Sequence, residues 1–254
     1  MITAKGVVIR ADCHDWIGNS IGAVALAPNM TDFSFALVGF DLDGTLLDTS
    51  GDLAAAVNHA LASAGRAPLT VDQVKPMIGG GSRHMLAQGL TATGGYDEPM
   101  LDQLQAKLLA YYEVNIAVLT RPYPGCLDAL DAIVARGAKV AVMTNKLEAL
   151  ARRLLGELGL TDRFAAIVGG DTLGPGNAKP SPAPIHAMVE RSGGGPAAFV
   201  GDSIYDVQAG QRAGLPVIAC SFGFLMQPVA ELGADAIIDH YDELIPTLER
   251  LAAP

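Results

Sequence analysis

From residue 138 onward the chain alternates short apolar runs with longer amphipathic segments, and this alternation limits the available folds more than any other feature. Residues 138–143, 165–168, 197–200, 217–219 and 236–238 read as strands. Residues 125–136, 147–158, 182–191, 204–213 and 241–251 read as helices, with a short helix from about Pro228. The runs are apolar at successive positions, the pattern of strands buried on both faces. Strand–helix alternation with short connections marks a parallel sheet covered by helices on both sides. One further apolar run, residues 35–40, supplies a strand far upstream.

The stretch between that strand and residue 120 is helical. Residues 49–65 carry Leu53, Val57 and Leu61 at successive turns and stop at Gly65. Thr70 and Gln73 have the spacing of a capping box. The loop Gly79-Gly80-Gly81 leads into a helix running through Leu90, and residues 98–116 place positions 101, 104, 108, 111 and 112 on one stripe. The expected organisation is α/β: a core over 34–48 and 120–254, with a small all-helical cap inserted over 49–119. Residues 1–33 lack a clear period and read as an N-terminal extension. A short strand over 6–9 is one alternative, and Met30 is a candidate alternative start.

In sheets of this kind ligands bind beyond the carboxyl ends of the strands, and polar residues gather there. Asp41 and Asp43 follow the run 35–40, and Thr144-Asn145 follows 138–143. Asp202 follows 197–200, with Asp206 one helical turn further on, and Lys179 precedes the helix at 182–191. Alternation along an extended chain points Asp41 and Asp43 the same way. Two like charges at a buried strand end require a cation or a shared proton. Gly44 permits a sharp turn, and Thr45 brings a hydroxyl to the mouth of the pocket. Asp41, Asp43 and Asp202, with Asp206 behind them, form an oxygen-rich set suited to Mg²⁺. Neither His nor Cys belongs to that set, which disfavours zinc. A threonine hydroxyl, an adjoining amide and a lysine match the oxygens of a phosphoryl group. With a metal neutralising one oxygen, one aspartate can attack phosphorus while the other moves the proton.

The formal charge of −10 argues against nucleic acid or an anionic membrane surface as partner. Cys13, Cys126 and Cys220 are widely spaced, without a CxxC pattern, and suit a reducing compartment. No run approaches the length of a transmembrane helix, so the expected location is the cytoplasm and the expected partner a small anionic phosphorylated metabolite. Monomer and homodimer both remain open.

Asp41-Leu42-Asp43-Gly44-Thr45, Thr144-Asn145, Lys179-Pro180 and Gly201-Asp202-Ser203-Ile204-Tyr205-Asp206 together resemble the four ordered signatures of the haloacid dehalogenase-like (HAD) hydrolases, over about residues 34–254. The resemblance implies a Rossmann-like core with a helical cap, Asp41 as nucleophile and Asp43 as general acid/base. It implies Mg²⁺ held by Asp41, the backbone carbonyl of Asp43 and Asp202, with Asp206 in support. Thr144 and Lys179 would bind the phosphoryl group, with Asn145 beside it. The dehalogenase branch lacks an acid at the second position, so Asp43 points to phosphoryl transfer. Residues 48–57 and the glycine loop at 78–82 are similar to phosphoglycolate phosphatases. The implied reaction is Mg²⁺-dependent hydrolysis of a small phosphomonoester, 2-phosphoglycolate first, through an aspartyl-phosphate intermediate. A sugar phosphate, a muramic-acid phosphate, pyrophosphate or a nucleotide is the alternative substrate. A phosphosugar mutase is disfavoured because the nearest histidine, His59, lies far along the first inserted helix. A non-catalytic binding protein is disfavoured because the polar set is intact.

Several side candidates have two readings. Arg83, after the glycine loop, either neutralises a substrate carboxylate or is a solvated helix-start arginine. Asp171 could support Lys179. Asp48 caps the helix after it or orders the hinge, Arg121 and Tyr123 pack at the return hinge, and residues 79–81 form a turn or an anion cradle.

Overall fold

The computed structural model describes residues 33–252, so the expectations for residues 1–32 fall outside it. Along the chain, β1 (Leu37–Phe40) and β2 (Leu47–Asp48) precede a helical block of α1 (Ser50–Ser63), α2 (Val71–Val74), α3 (Ser82–Ala92) and α4 (Glu98–Val114). Then follow β3 (Arg121–Pro122), α5 (Cys126–Ala135), β4 (Lys139–Met143), α6 (Glu148–Glu157), β5 (Ile167–Val168) and α7 (Ala183–Arg191). The chain continues through β6 (Ala197–Gly201), α8 (Ile204–Arg212), β7 (Val217–Cys220), β8 (Ala236–Ile238) and α9 (Leu244–Ala252). A six-stranded sheet runs in the order β5-β4-β1-β6-β7-β8 with every pairing parallel. The expected α/β class is therefore what the chain adopts. Among the described residues no helix is long and apolar enough to cross a membrane.

Strand alternation divides the sheet between two apolar layers. Val38, Phe40, Val140, Val142 and Val200 pack on the face shared with α5, α6, α9 and the helical block. Leu37, Ala141, Met143 and Phe199 pack on the other face against Ile185 and Met188 of α7. Gly39 allows this second layer to close: a Cβ there would collide with the Met188 side chain, so α7 lies directly on β1. The order brings β4, β1 and β6 together at the sheet centre. The chain adds strands to one side of β1 and then crosses to the other, which opens a crevice at their carboxyl ends.

The helical block packs mainly through α1 against α4 and α3 against α4. Leu53, Val57 and Leu61 are buried, as their spacing predicts, and so are Leu101, Leu104, Leu108 and Tyr112. Tyr111, the other aromatic of that stripe, is only half-buried and stacks on His59 at a centroid distance of 4.5 Å. Thr70 and Gln73 close their capping box. Side chains tie the connections down: Asn58 exchanges two 2.8 Å hydrogen bonds with the Leu69 backbone, and Arg66 donates to the carbonyls of Thr93 and Gly95.

Where the chain leaves the sheet and returns, β2 and β3 pair antiparallel. Buried Asp52 accepts hydrogen bonds from the backbone amides of Leu119 and Thr120 and from the Thr120 hydroxyl at 2.7 Å. No such ribbon is expected from the sequence, because two residues per strand are too few to show a period.

Candidate active site

The sheet register of β1 ends at Asp41, whose amide donates to the Val200 carbonyl at 2.9 Å. The chain then curls instead of staying extended. The Leu47 amide bonds the Leu42 carbonyl, the Gly44 amide bonds the Leu47 carbonyl, and Gly44 adopts φ +85°. Strand alternation therefore does not govern Asp43, yet both carboxylates line one cavity, and each meets its own lysine. Gly44 is also required sterically, because a Cβ there would collide with the Asp202 carboxylate. Thr45 donates its hydroxyl to Asp202 Oδ1 at 2.8 Å, so it orients a carboxylate and does not present a free hydroxyl.

Asp41, Asp202 and Asp206 are buried, with one carboxylate oxygen of each within 4.8 Å of the others. Asp202 Oδ2 accepts the Phe224 amide at 2.7 Å. Asp206 Oδ2 accepts the Ser203 hydroxyl and amide at 2.5 and 2.9 Å as part of the capping box that starts α8. Its Oδ1 lies 2.6 Å from Lys179 Nζ, which also donates to the Met143 carbonyl. Lys179 Nζ stands 2.8 Å from Asp41 Oδ1 as a charge pair, but off the direction of a hydrogen bond. That buried oxygen is left without a hydrogen-bond donor. Asn145 sets the lysine: its Oδ1 accepts the Lys179 amide at 2.8 Å, and its Nδ2 donates to the Lys179 carbonyl and to Gly79 of the helical block. Asn145 thus holds the backbone of a phosphate-binding candidate, with its amide group fully engaged.

Burial dominates the electrostatics. It pushes the Asp41 carboxyl up to about 7, although Lys179 pulls the other way. Burial, then the charges of Asp206 and Asp41, raises the Asp202 carboxyl well above its ordinary value. For Lys179 burial alone would lower the pKa, but Asp206 and Asp41 outweigh it and hold the ammonium charged. Once all three carboxylates ionise, one ammonium leaves two negative charges uncompensated, a deficit that adds to burial in holding the Asp41 and Asp202 carboxyls up. A divalent cation ligated by carboxylate oxygens fits that deficit and the undonated Asp41 oxygen.

Asp43 lies in a different setting. Lys146 Nζ meets its two oxygens at 2.8 and 2.7 Å, and the Thr49 hydroxyl donates to Oδ1 at 2.7 Å. Burial would push Lys146 down, but the Asp43 charge overrides it and raises the ammonium. The Tyr112 ring of α4 lies against Lys146, 4.8 Å from Nζ to centroid. Asp41, Asp43, Thr144, Asn145 and Lys146 share a cavity of about 210 Å³ with α4, the glycine loop and the start of α3.

The side candidates resolve locally. Arg83 lines the cavity, but its guanidinium is paired with Glu98 and Asp102, each at 2.5 Å, and donates to Gln105. Asp171 accepts the Glu148 amide at the start of α6 and does not reach Lys179, whose carboxylates are Asp41 and Asp206. Asp48 accepts the Ser50 amide and hydroxyl, steering the entry to α1. Sequence reasoning missed Lys146 and Tyr112. The only available signal was a lysine directly after the Thr144-Asn145 strand end; Tyr112 reads as an ordinary stripe residue.

A family model described as haloacid dehalogenase-like hydrolase matches residues 38–220. A protein of Agrobacterium fabrum named phosphoglycolate phosphatase is 40% identical over 212 residues, covering 82% of this chain and 90% of that protein. One of Rhodospirillum rubrum with the same name is also 40% identical over 212 residues, covering 81% and 87%. The crystal structure of a predicted phosphoglycolate phosphatase from Haemophilus somnus superposes with a TM-score of 0.78 at 29% identity, covering 84% of this chain and 98% of that one.

Proposed function

The chain belongs to the haloacid dehalogenase-like hydrolases, and on that premise we propose that it hydrolyses a small phosphomonoester, 2-phosphoglycolate, to glycolate and phosphate with Mg²⁺. The observation that carries the chemistry is Asp41: a buried carboxylate with an undonated oxygen, at the meeting point of β4, β1 and β6, beside a charged lysine and two further carboxylates. The substrate reading is supported by the names of the relatives and by a cavity whose size suits a small metabolite.

In this reading an Asp41 oxygen attacks phosphorus and forms an aspartyl phosphate as the bond to the alcohol oxygen breaks. Asp43, a carboxylate in its pair with Lys146, first takes up a proton from solvent, gives it to that leaving oxygen, and then takes one from the water whose attack on phosphorus releases Asp41 and phosphate. Lys179 and the Thr144 hydroxyl hold phosphoryl oxygens, and Asn145 keeps Lys179 in place. Asp41, the Asp43 carbonyl and Asp202 would hold the cation, with Asp206 fixing the loop behind them; bound there, it would neutralise charge on the phosphoryl oxygens. The helical block acts as a cap that keeps water from the site.

Phosphate release from 2-phosphoglycolate with Mg²⁺ tests the reading, against a sugar phosphate, a muramic-acid phosphate, pyrophosphate and a nucleotide. Asp41→Asn should lower kcat by ~10⁴-fold or more on every substrate cleaved. Full activity in that variant would overturn the nucleophile, and a higher kcat/KM on another panel member would overturn the substrate.

A further inference from the structure

We propose that Lys146 and Tyr112 form a subsite that reads an acidic group on the leaving alcohol, so that the protein selects phosphomonoesters bearing a carboxylate next to the ester carbon. This rests on the phosphomonoesterase reading above and names the groups that choose among its substrates.

The leaving oxygen has to come within roughly 3 Å of Asp43 to receive its proton. Lys146 Nζ stands 2.7 and 2.8 Å from the two Asp43 oxygens. A carboxylate two bonds from the leaving oxygen therefore arrives beside the same ammonium. The Lys146 side chain is 6% exposed, and a buried ammonium is stabilised by each anion that reaches it more strongly than a surface one would be. Arg83 also lines the cavity, but its half-exposed side chain is held by two carboxylates, Glu98 and Asp102, whereas the buried Lys146 ammonium is paired with one, Asp43.

Tyr112 supplies an independent observation. Its side chain is 2% exposed, its ring lies against Lys146, and its hydroxyl has no hydrogen-bond partner. Burial pushes the phenol up to about 12, so at neutral pH it remains an O–H donor. An unpaired buried donor is costly, and a carboxylate oxygen between Nζ and the phenol removes that cost. Leu53, Ile78, Met85, Leu108 and Leu150 supply the apolar part of the lining, and Ser82, Arg83 and Gln105 a polar part. Within that lining only Lys146 and Tyr112 pair a buried cation with a donor, which suits a compact acid.

The test compares kcat/KM for 2-phosphoglycolate with that for 2-hydroxyethyl phosphate, a neutral leaving group of similar size, in the full-length Mg²⁺-loaded protein. Lys146→Met also removes a partner of Asp43 and slows both substrates, so the ratio of the two constants is the readout. The wild type should prefer 2-phosphoglycolate. The ratio should fall ~10²-fold in Lys146→Met and ~5-fold in Tyr112→Phe, and Lys146→Arg should restore part of it. An unchanged ratio in Lys146→Met would overturn the subsite while leaving 2-phosphoglycolate as substrate. A wild type without preference, still silenced by Asp41→Asn, would overturn the subsite and the substrate but not the phosphatase chemistry. If Lys146→Met does not fold, the ratios of Tyr112→Phe and Lys146→Arg decide in the same way.

Discussion

Lys179 and Lys146 both bury an ammonium against an aspartate at the end of β1, yet the two contacts are built from different parts of the chain. Lys179 meets Asp41, Asp206 and the Met143 carbonyl, supplied by the ends of two neighbouring strands, β1 and β4, and the start of α8. Lys146 meets Asp43 from the core and Tyr112 from the helical block. On the proposed function, the groups facing the phosphoryl unit, which every phosphomonoester shares, come from the sheet, and those facing the leaving alcohol come from the boundary between sheet and insertion. Catalytic generality and substrate choice would then have separate structural owners.

Three predictions sharpen or break that contrast. The largest effect is expected from Lys179→Met. Without the ammonium, Asp41 and Asp206 lose their cation, so kcat/KM should fall ~10³-fold by an equal factor on every phosphomonoester. Urea unfolding should show a loss of roughly 3–5 kcal/mol, the usual cost of leaving a buried charge unpaired. A loss confined to some substrates would erase the distinction between the two ends.

A smaller effect concerns pH in the metal-free protein. Asp41 is held up at about 7 and Asp202 is raised as well, whereas in the unfolded chain such carboxyls ionise near 3.8. Between those values the folded state binds more protons than the unfolded one, so stability falls as pH rises toward and through 7. In EDTA the melting temperature should drop by ~5 °C between about pH 5 and pH 8, and Mg²⁺ should restore it at the higher pH. A flat profile would remove these aspartates as the cation-holding group. The smallest effect belongs to Arg83→Ala, whose guanidinium is already paired at the surface of the block. Its kcat/KM on 2-phosphoglycolate should change by less than ~3-fold; a fall above ~30-fold would move recognition of the acid group from Lys146 to Arg83.

Much of this was legible in the sequence because the informative residues sit next to strong local patterns. Asp41, Thr144 and Asp202 each follow a run buried on both faces, so finding the strand locates the residue. Asp206 lies within the first turn of α8, again set by local spacing. Lys146 was not legible as a partner of Asp43, since 103 residues separate them and only the adjacency of β1 and β4 brings them together. Tyr112 reads as core packing because its aromatic body is core; only its unpartnered hydroxyl sets it apart. Asp41 and Asp43 do line one cavity, but period-two reasoning does not account for it, because the chain curls where the Gly44 loop begins. Arg83 read as free because nothing local reveals that Glu98 and Asp102, on a different helix, reach it.

The paired crossings at β2 and β3 have a consequence for how such a protein can change. The helical block departs at Asp48 and rejoins at Arg121, which are register partners in one short ribbon, and Asp52 clasps the same spot. A segment that exits and re-enters its host at a single socket can be lengthened, shortened or spliced out for another without disturbing the sheet register. On the proposed function, a foreign insert grafted between those two residues would meet the sheet's own carboxylates and lysines, and would need to bring its own wall together with equivalents of Thr49, which bonds Asp43, and of the Asp52 clasp.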